Sequence, residues 1–241
     1  MSSPRTILVT GANQGLGMHT VHQLASTPDV LVFMGSRKLA SAEEAIAKFA
    51  SDVHPSSTVV PVQLDITDAT SIQNAHDVVA KMLQEKGLSG LDALVNNAAI
   101  AAGTPEAIYT TNVVGTARVK DTFLPLIKKG GAILNVSSAL GSNARFAQRP
   151  PEPVMLTIWP HYSSSKAALN SLTVQWALDE EQNGSGIRVI SICPGLDATN
   201  LNDYIEAGGS PADGCKVIVK EALVKDGKTS IFVHKDGEYP W

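Results

Sequence analysis

Seven short apolar runs, Thr6–Val9, Val30–Met34, Thr58–Gln63, Leu91–Val95, Ala132–Ser137, Ile187–Cys193 and Ser230–Val233, alternate along the chain with stretches of helical character. The helical stretches include Ala42–Phe49, Ser71–Lys86, Thr110–Lys128 and Pro211–Val224. Strand followed by helix followed by strand is the pattern of a parallel sheet wound with helices on both faces. The expectation is a single-domain α/β Rossmann fold over residues 1–241, with a doubly wound seven-stranded parallel sheet. At 241 residues and 44% hydrophobic content the chain has material for such a core. There is no internal repeat or low-complexity segment to argue otherwise.

The first strand runs into Thr10-Gly11-Ala12-Asn13-Gln14-Gly15-Leu16-Gly17, after which Val21, Leu24 and Ala25 continue at helical spacing. Strand, glycine turn and helix form the setting of a phosphate-binding motif. Gly11 permits the tight turn, Gly15 lets backbone approach a pyrophosphate, and Gly17 allows helix and strand to pack closely. The helix N-terminus adds free N–H groups and partial positive charge. The spacing departs from the common G-x-G-x-x-G, and a glycine turn without a ligand is the competing reading.

The second strand ends in Gly35-Ser36-Arg37-Lys38. An acidic residue there would accept from a ribose 2′-OH, whereas an arginine accommodates a 2′-phosphate. Arg37 therefore favours NADP(H), against the plainer reading of a solvated basic pair. Asp65 closes the third strand, where it either touches a cofactor base or merely ends the strand. Asn96-Asn97-Ala98-Ala99 follows the fourth, and Ser138 follows the fifth. Ligands of open α/β sheets bind outside the strand carboxyl ends, so Gly11, Arg37, Asp65, Asn97 and Ser138 should face one crevice.

Tyr162-Ser163-Ser164-Ser165-Lys166 opens a segment in which Ala167, Ala168, Leu169, Leu172, Val174, Trp176, Ala177 and Leu178 recur as in a buried helix. Tyr162 and Lys166 then share one face. A cation at ~4 Å in an effective dielectric of ~20 attracts a phenolate by ~4 kcal/mol, which would lower the phenol pKa by up to ~3. That places Tyr162 within reach of general acid–base work. Pairs of this spacing are also common without any function.

Residues 139–161, with Pro150, Pro151, Pro153 and Pro160 among apolar side chains, read as a lid or wall over the site. Residues 196–212 have the polar, glycine-bearing composition of a substrate loop. Net charge is −4, from 19 basic and 23 acidic residues, with no basic run longer than two, which argues against nucleic acid. No stretch reaches the ~20 apolar residues of a membrane span, and Met1–Arg5 lacks signal-peptide character. Cys193 and Cys215 have neither metal nor disulfide-framework spacing, and His19 with His22 has no third ligand nearby. The expectation is a cytoplasmic protein with no bound metal.

Together these motifs resemble the short-chain dehydrogenase/reductase family, in its carbonyl-reductase-like branch, across essentially the whole chain. Thr10-Gly11-x-x-x-Gly15-x-Gly17, Asn96-Asn97-Ala98-Ala99, Tyr162-x-x-x-Lys166 and Pro194-Gly195 with Thr199 stand in the family's order. The segment Phe232–Trp241 and the insertion before Tyr162 resemble the carbonyl reductases. The resemblance implies that Ser138 polarises a substrate carbonyl, Tyr162 protonates its oxygen, Lys166 binds the nicotinamide ribose, and Asn112 holds a water linking Lys166 to solvent. Ser137 or Ser142 could share the serine role. It further implies an NADP(H) site of Gly11, Asn13, Gln14, Gly15, Leu16, Gly17, Ser36, Arg37, Asp65, Ile66, Asn97, Ala98, Tyr162, Lys166, Pro194, Gly195 and Thr199. Ala99 in place of glycine, Gln14 in place of a basic residue and the long Ser138–Tyr162 interval are its departures. The implied reaction is NADPH reduction of a hydrophobic ketone or aldehyde. An NAD-dependent alcohol dehydrogenase and a non-catalytic NADP(H) sensor are the alternatives. Monomer and homo-oligomer both stay open.

Overall fold

The computed structural model describes residues 3–148 and 159–241. Its strands are β1 (Arg5–Val9), β2 (Val30–Ser36), β3 (Thr58–Gln63), β4 (Leu91–Asn96), β5 (Ile127–Val136), β6 (Arg188–Cys193), β7 (Phe232–His234) and β8 (Gly237–Tyr239). They form one sheet in the order β3-β2-β1-β4-β5-β6-β7-β8. Every neighbouring pair from β3 through β7 is parallel, and β8 turns back antiparallel on β7. The seven expected parallel strands are present, and β8 extends them by one.

The helices are α1 (Gly15–Ala25), α2 (Leu39–Ala47), α3 (Ala69–Glu85), α4 (Pro105–Tyr109), α5 (Thr116–Phe123), α6 (Asn143–Ala147), α7 (Pro160–Gln182), α8 (Pro211–Gly214) and α9 (Lys216–Leu223). The period-two side-chain alternation of each strand feeds two cores. Ile7, Val9, Val32 and Met34 join Val21, Leu24 and Ile218 on one face. Leu8, Phe33 and Ile133 join Ile72, Val79, Phe123, Leu169 and Trp176 on the other. Burying each large apolar side chain contributes about 1.5–3 kcal/mol, so both faces of the sheet are strongly held.

One expected helix breaks. Residues 110–128 do not continue as a single element: α4 passes into a π-helical turn at Thr110–Gly115, then α5, then a 3-10 turn at Leu124–Leu126. Pro125 has no N–H for a helical ladder, and β5 begins at Ile127, earlier than the apolar run suggested. Likewise Pro211–Val224 is divided at Cys215 into α8 and α9.

Candidate active site

The order of strands reverses between β1 and β4, and there a cleft of about 890 Å³ opens at the strand carboxyl ends. The glycine turn, the ends of β2 and β3, the Asn97–Ala102 segment, Ser138, α7 and the 194–202 loop all line it. Of the expected site residues, only Ser36 and Asn112 stand outside its lining.

At the nucleotide end, Gly11 has φ 60° and Gly15 φ 53°, which an L side chain adopts only with strain. A Cβ on Gly11 would lie 2.8 Å from Ala98, and one on Gly17 would lie 2.7 Å from the Gly11 carbonyl oxygen. Gln14, at the N-cap of α1, makes no side-chain capping bond, which leaves the first N–H groups of a helix that starts at the cleft for an anion. Asn97 fixes the turn from the neighbouring strand: its Nδ2 donates to Thr10 O at 2.9 Å and Gly11 O at 3.0 Å. Arg37 lies exposed at the cleft edge, while Asp65 accepts from Thr67 N and Oγ1 through Oδ1. These residues fit a dinucleotide bearing a 2′-phosphate. Ser36 differs from expectation. It is buried, and its hydroxyl donates to Lys38 O at 3.0 Å, so it shapes the turn that presents Arg37.

At the other end, Pro160 starts α7 at a position where its missing N–H does no harm. A buried polar chain seats the helix on the sheet: Asn96 Nδ2 donates to Asn135 Oδ1, Asn135 Nδ2 to Thr173 Oγ1, and Ser191 Oγ to the same hydroxyl, at 2.9–3.0 Å. Gly141 lets the turn after Ser138 press on α7, since a Cβ there would lie 2.7 Å from the Lys166 carbonyl carbon. Ser138, Tyr162 and Lys166 thereby converge on the cleft. Lys166 Nζ donates to Val136 O at 2.7 Å and lies 5.7 Å from the centre of the Tyr162 ring.

The expected depression of the Tyr162 pKa is corrected here. Burial pushes the phenol upward, Cys193 adds to that, and the Ser138 hydroxyl opposes it. Lys166 moves the other way, down to about 8, because burial disfavours its charge. Helical spacing anticipates the pairing; the walls that desolvate both groups come from distant chain segments.

Asn112 sits in the π-helical turn with no solvent exposure. Its Oδ1 accepts from Ile100 N, and its Nδ2 donates to Ile100 O and to Ser165 Oγ, all at 2.9–3.0 Å. The side chain is committed to bracing α7 against the Ile100 segment, so a bound water would have to use the main-chain carbonyl.

Of the serine alternatives, Ser137 lines the cleft with its hydroxyl unpartnered among the described residues, and Ser142 donates to Pro240 O at 2.6 Å. From the 139–161 segment, Leu140, Arg145, Phe146 and Trp159 line the cleft; the proline-rich stretch 149–158 lies outside the described residues. His234 and Tyr239 also line it, though sequence reasoning singled out neither. Their rings stack at 4.5 Å, with the Arg145 guanidinium 4.6 Å from the Tyr239 ring centre. The aromatic-rich segment 232–241 was their only signal. His22 pairs with Asp52 at 2.9 Å and stacks on Phe49, and no three potential metal ligands cluster among the described residues. No helix among them is long and apolar enough to cross a membrane.

Residues 5–209 match the family model described as short chain dehydrogenase. The chain belongs to the short-chain dehydrogenase/reductase family. Among relatives of this short-chain dehydrogenase, the short-chain dehydrogenase anuI of Penicillium roqueforti is 34% identical over 90% of this chain and 87% of its own length. The NADP-dependent 3-hydroxy acid dehydrogenase of Schizosaccharomyces pombe is 30% identical over 82% of this chain and 73% of its own. Carbonyl reductase (NADPH) 1 of Bos taurus is 31% identical over 93% of both chains. In three dimensions the dehydrogenase superposes on NADPH-bound carbonyl reductase from chicken fatty liver with a TM-score of 0.82, 28% identity and complete coverage of both chains.

Proposed function

We propose that this short-chain dehydrogenase uses NADPH to reduce a ketone or aldehyde of hydrophobic character. The observation that carries the reading is the convergence of Ser138, Tyr162 and Lys166 on the cleft that the glycine turn also lines, with the Tyr162 phenol buried and its pKa raised by that burial. A phenol in that state keeps its proton through the neutral range. It is suited to giving that proton to an oxygen on which negative charge is forming, and less suited to removing one from an alcohol.

The cofactor is NADP(H), held by Gly11, Gly15 and Gly17 along its pyrophosphate, by Arg37 at the 2′-phosphate, by Asp65 at the adenine, by Asn97 at the adjoining ribose, and by Lys166 and the 194–199 segment toward the nicotinamide. When bound it supplies the hydride. The chain's own residues do the rest. Ser138 donates to the carbonyl oxygen and orients it, Tyr162 transfers its proton to that oxygen, and Lys166 stabilises the phenolate left behind. Leu140, Phe146 and Trp159 give the substrate end apolar walls. The relatives' named activities, carbonyl reduction with NADPH and NADP-dependent 3-hydroxy acid dehydrogenation, support this reaction class.

The test follows loss of NADPH absorbance with a panel of aliphatic and aromatic ketones and aldehydes, set beside the corresponding alcohols with NADP. Reduction faster than oxidation at neutral pH, with NADPH preferred over NADH, is expected. A protein that binds NADPH but turns over no member of the panel would contradict the proposal.

A further inference from the structure

Asp197 is a buried carboxyl that the proton and hydride chemistry does not use. It lies near the start of the loop Leu196–Ser210, is 8% exposed, and its Oδ2 has no hydrogen-bond partner among the described residues. That oxygen packs directly onto Gly214, where any Cβ would overlap it, and a Cβ on Gly209 would lie 3.4 Å from Oδ1. Around it the loop is tied to itself: Ala198 N donates to Gly209 O, Gly209 N to Leu196 O, and Asn202 Nδ2 to Asp197 O, at 2.8–2.9 Å. From there the loop reaches the glycine turn, with Asn200 Oδ1 3.1 Å from where a Gly15 Cβ would stand. The loop thus borders the turn along which a dinucleotide would lie.

We propose that Asp197 is a positioning residue that acts as a proton-operated latch. As a carboxylic acid it holds Leu196–Ser210 closed on the glycine turn; as a carboxylate it releases the loop so that nucleotide can enter and leave. A neutral acid tolerates the apolar seat against Gly214, whereas an ionised one without a donor is driven toward water. The groups whose charge reaches it are Lys235 from the β7–β8 turn, Asp213 on α8, and the thiols of Cys193 and Cys215. Lys235 favours the carboxylate and Asp213 opposes it, while Asp213 is itself bound to Lys216 at 2.6 Å. Burial outweighs both and pushes the carboxyl up to about 6. At the loop's tip Asp203 and Tyr204 stand at φ 52° and 55°, in the left-handed region that non-glycine residues rarely adopt.

The closed loop binds the proton more tightly than the open one. Closure is therefore strongest below the ordinary carboxylate range and weakens as pH rises toward 6. Between the carboxylate's ordinary range and about 6, every rise of one in pH weakens closure by up to about tenfold. The whole loss should come to roughly ten- to a hundredfold. The inference rests on the nucleotide reading of the cleft only for its consequence, since the latch itself belongs to the ligand-free protein.

Hydrogen exchange of residues 196–210 in the ligand-free protein, corrected for intrinsic rates, tests it between about pH 4.5 and about pH 7.5. Wild type should lose ten- to a hundredfold protection across that range, while Asp197→Asn stays protected at both ends and releases NADPH more slowly at the higher pH. Wild-type protection that does not change with pH would overturn the latch, whatever the variant's stability. An Asn variant that titrates in parallel with wild type would also overturn it. Protection that titrates in a protein unable to bind NADPH would sustain the latch and overturn the nucleotide reading.

Discussion

Lys166 Nζ donates to the main-chain oxygen of Val136 at 2.7 Å, joining the face of α7 that carries Tyr162 to the end of β5 that leads into Ser138. One buried hydrogen bond thus ties together the two elements from which the proposed catalytic groups project. It also fixes an ammonium where burial disfavours charge, an arrangement that stability alone would not select.

From this follows a trade between activity and stability. A lysine whose pKa falls on folding subtracts from stability while it is charged, that is below about 8, because the unfolded chain holds the proton more tightly. Lys166→Met should abolish carbonyl reduction yet raise stability at neutral pH by about 1–2 kcal/mol, after loss of the Val136 hydrogen bond, or a few degrees in Tm. In wild type, reduction should decline as pH rises through about 8 and Lys166 loses its charge. A lower Tm in the variant, with an unchanged alkaline limb in wild type, would refute both points.

Cofactor choice is predicted to rest on Arg37, which lies at the cleft edge while Ser36 is turned inward to Lys38 O. Arg37→Asp should weaken NADPH binding by about tenfold or more, through the loss of roughly 1.5–3 kcal/mol of charge-assisted hydrogen bonding, and leave NADH nearly unaffected. Fluorescence titration with both nucleotides checks this. Parallel losses for the two would assign the 2′-phosphate to other residues.

The two kinds of left-handed glycine should respond differently to alanine. Gly87, at φ 65° with nothing within 4 Å of a Cβ, should lose only about 1 kcal/mol of stability. Gly11, at φ 60° with Ala98 2.8 Å from its Cβ position, should lose more than that and also bind NADPH poorly, because the turn must shift. Urea denaturation beside nucleotide titration separates the two effects. Equal losses at both sites would contradict the packing argument.

Asn112→Ala removes three hydrogen bonds and takes their partner from the half-buried Ile100 N and Ile100 O, while Ser165 Oγ keeps only its bond to Tyr162 O. A loss of about 2–4 kcal/mol is expected in denaturant unfolding, with a lower kcat from a misplaced α7. An unchanged midpoint would show that the brace contributes little.

Much of this molecule was legible in its sequence, for local reasons. Strand ends and the glycine turn announce themselves through apolar runs and through Gly11, Gly15 and Gly17, and the helical spacing of Tyr162 and Lys166 follows from a single segment. What stayed hidden depends on distant contacts. The direction in which the Tyr162 pKa moves is set by walls from several elements. Gly141 matters only because Lys166 passes close by. The π-helical turn that holds Asn112 ends in Gly115, a glycine that matters only because Ile66 O would lie 2.5 Å from its Cβ, and β8 with its cleft-facing Tyr239 is three residues long, too short for any period to reveal.

The most direct measurement compares Tyr162→Phe with wild type in NADPH binding and in carbonyl turnover. The phenyl ring keeps the buried packing and removes only the hydroxyl group that would give the proton. NADPH affinity should stay within a few-fold, while reduction falls by about 10²–10⁴. Turnover close to wild type in a variant that binds NADPH normally would contradict the account.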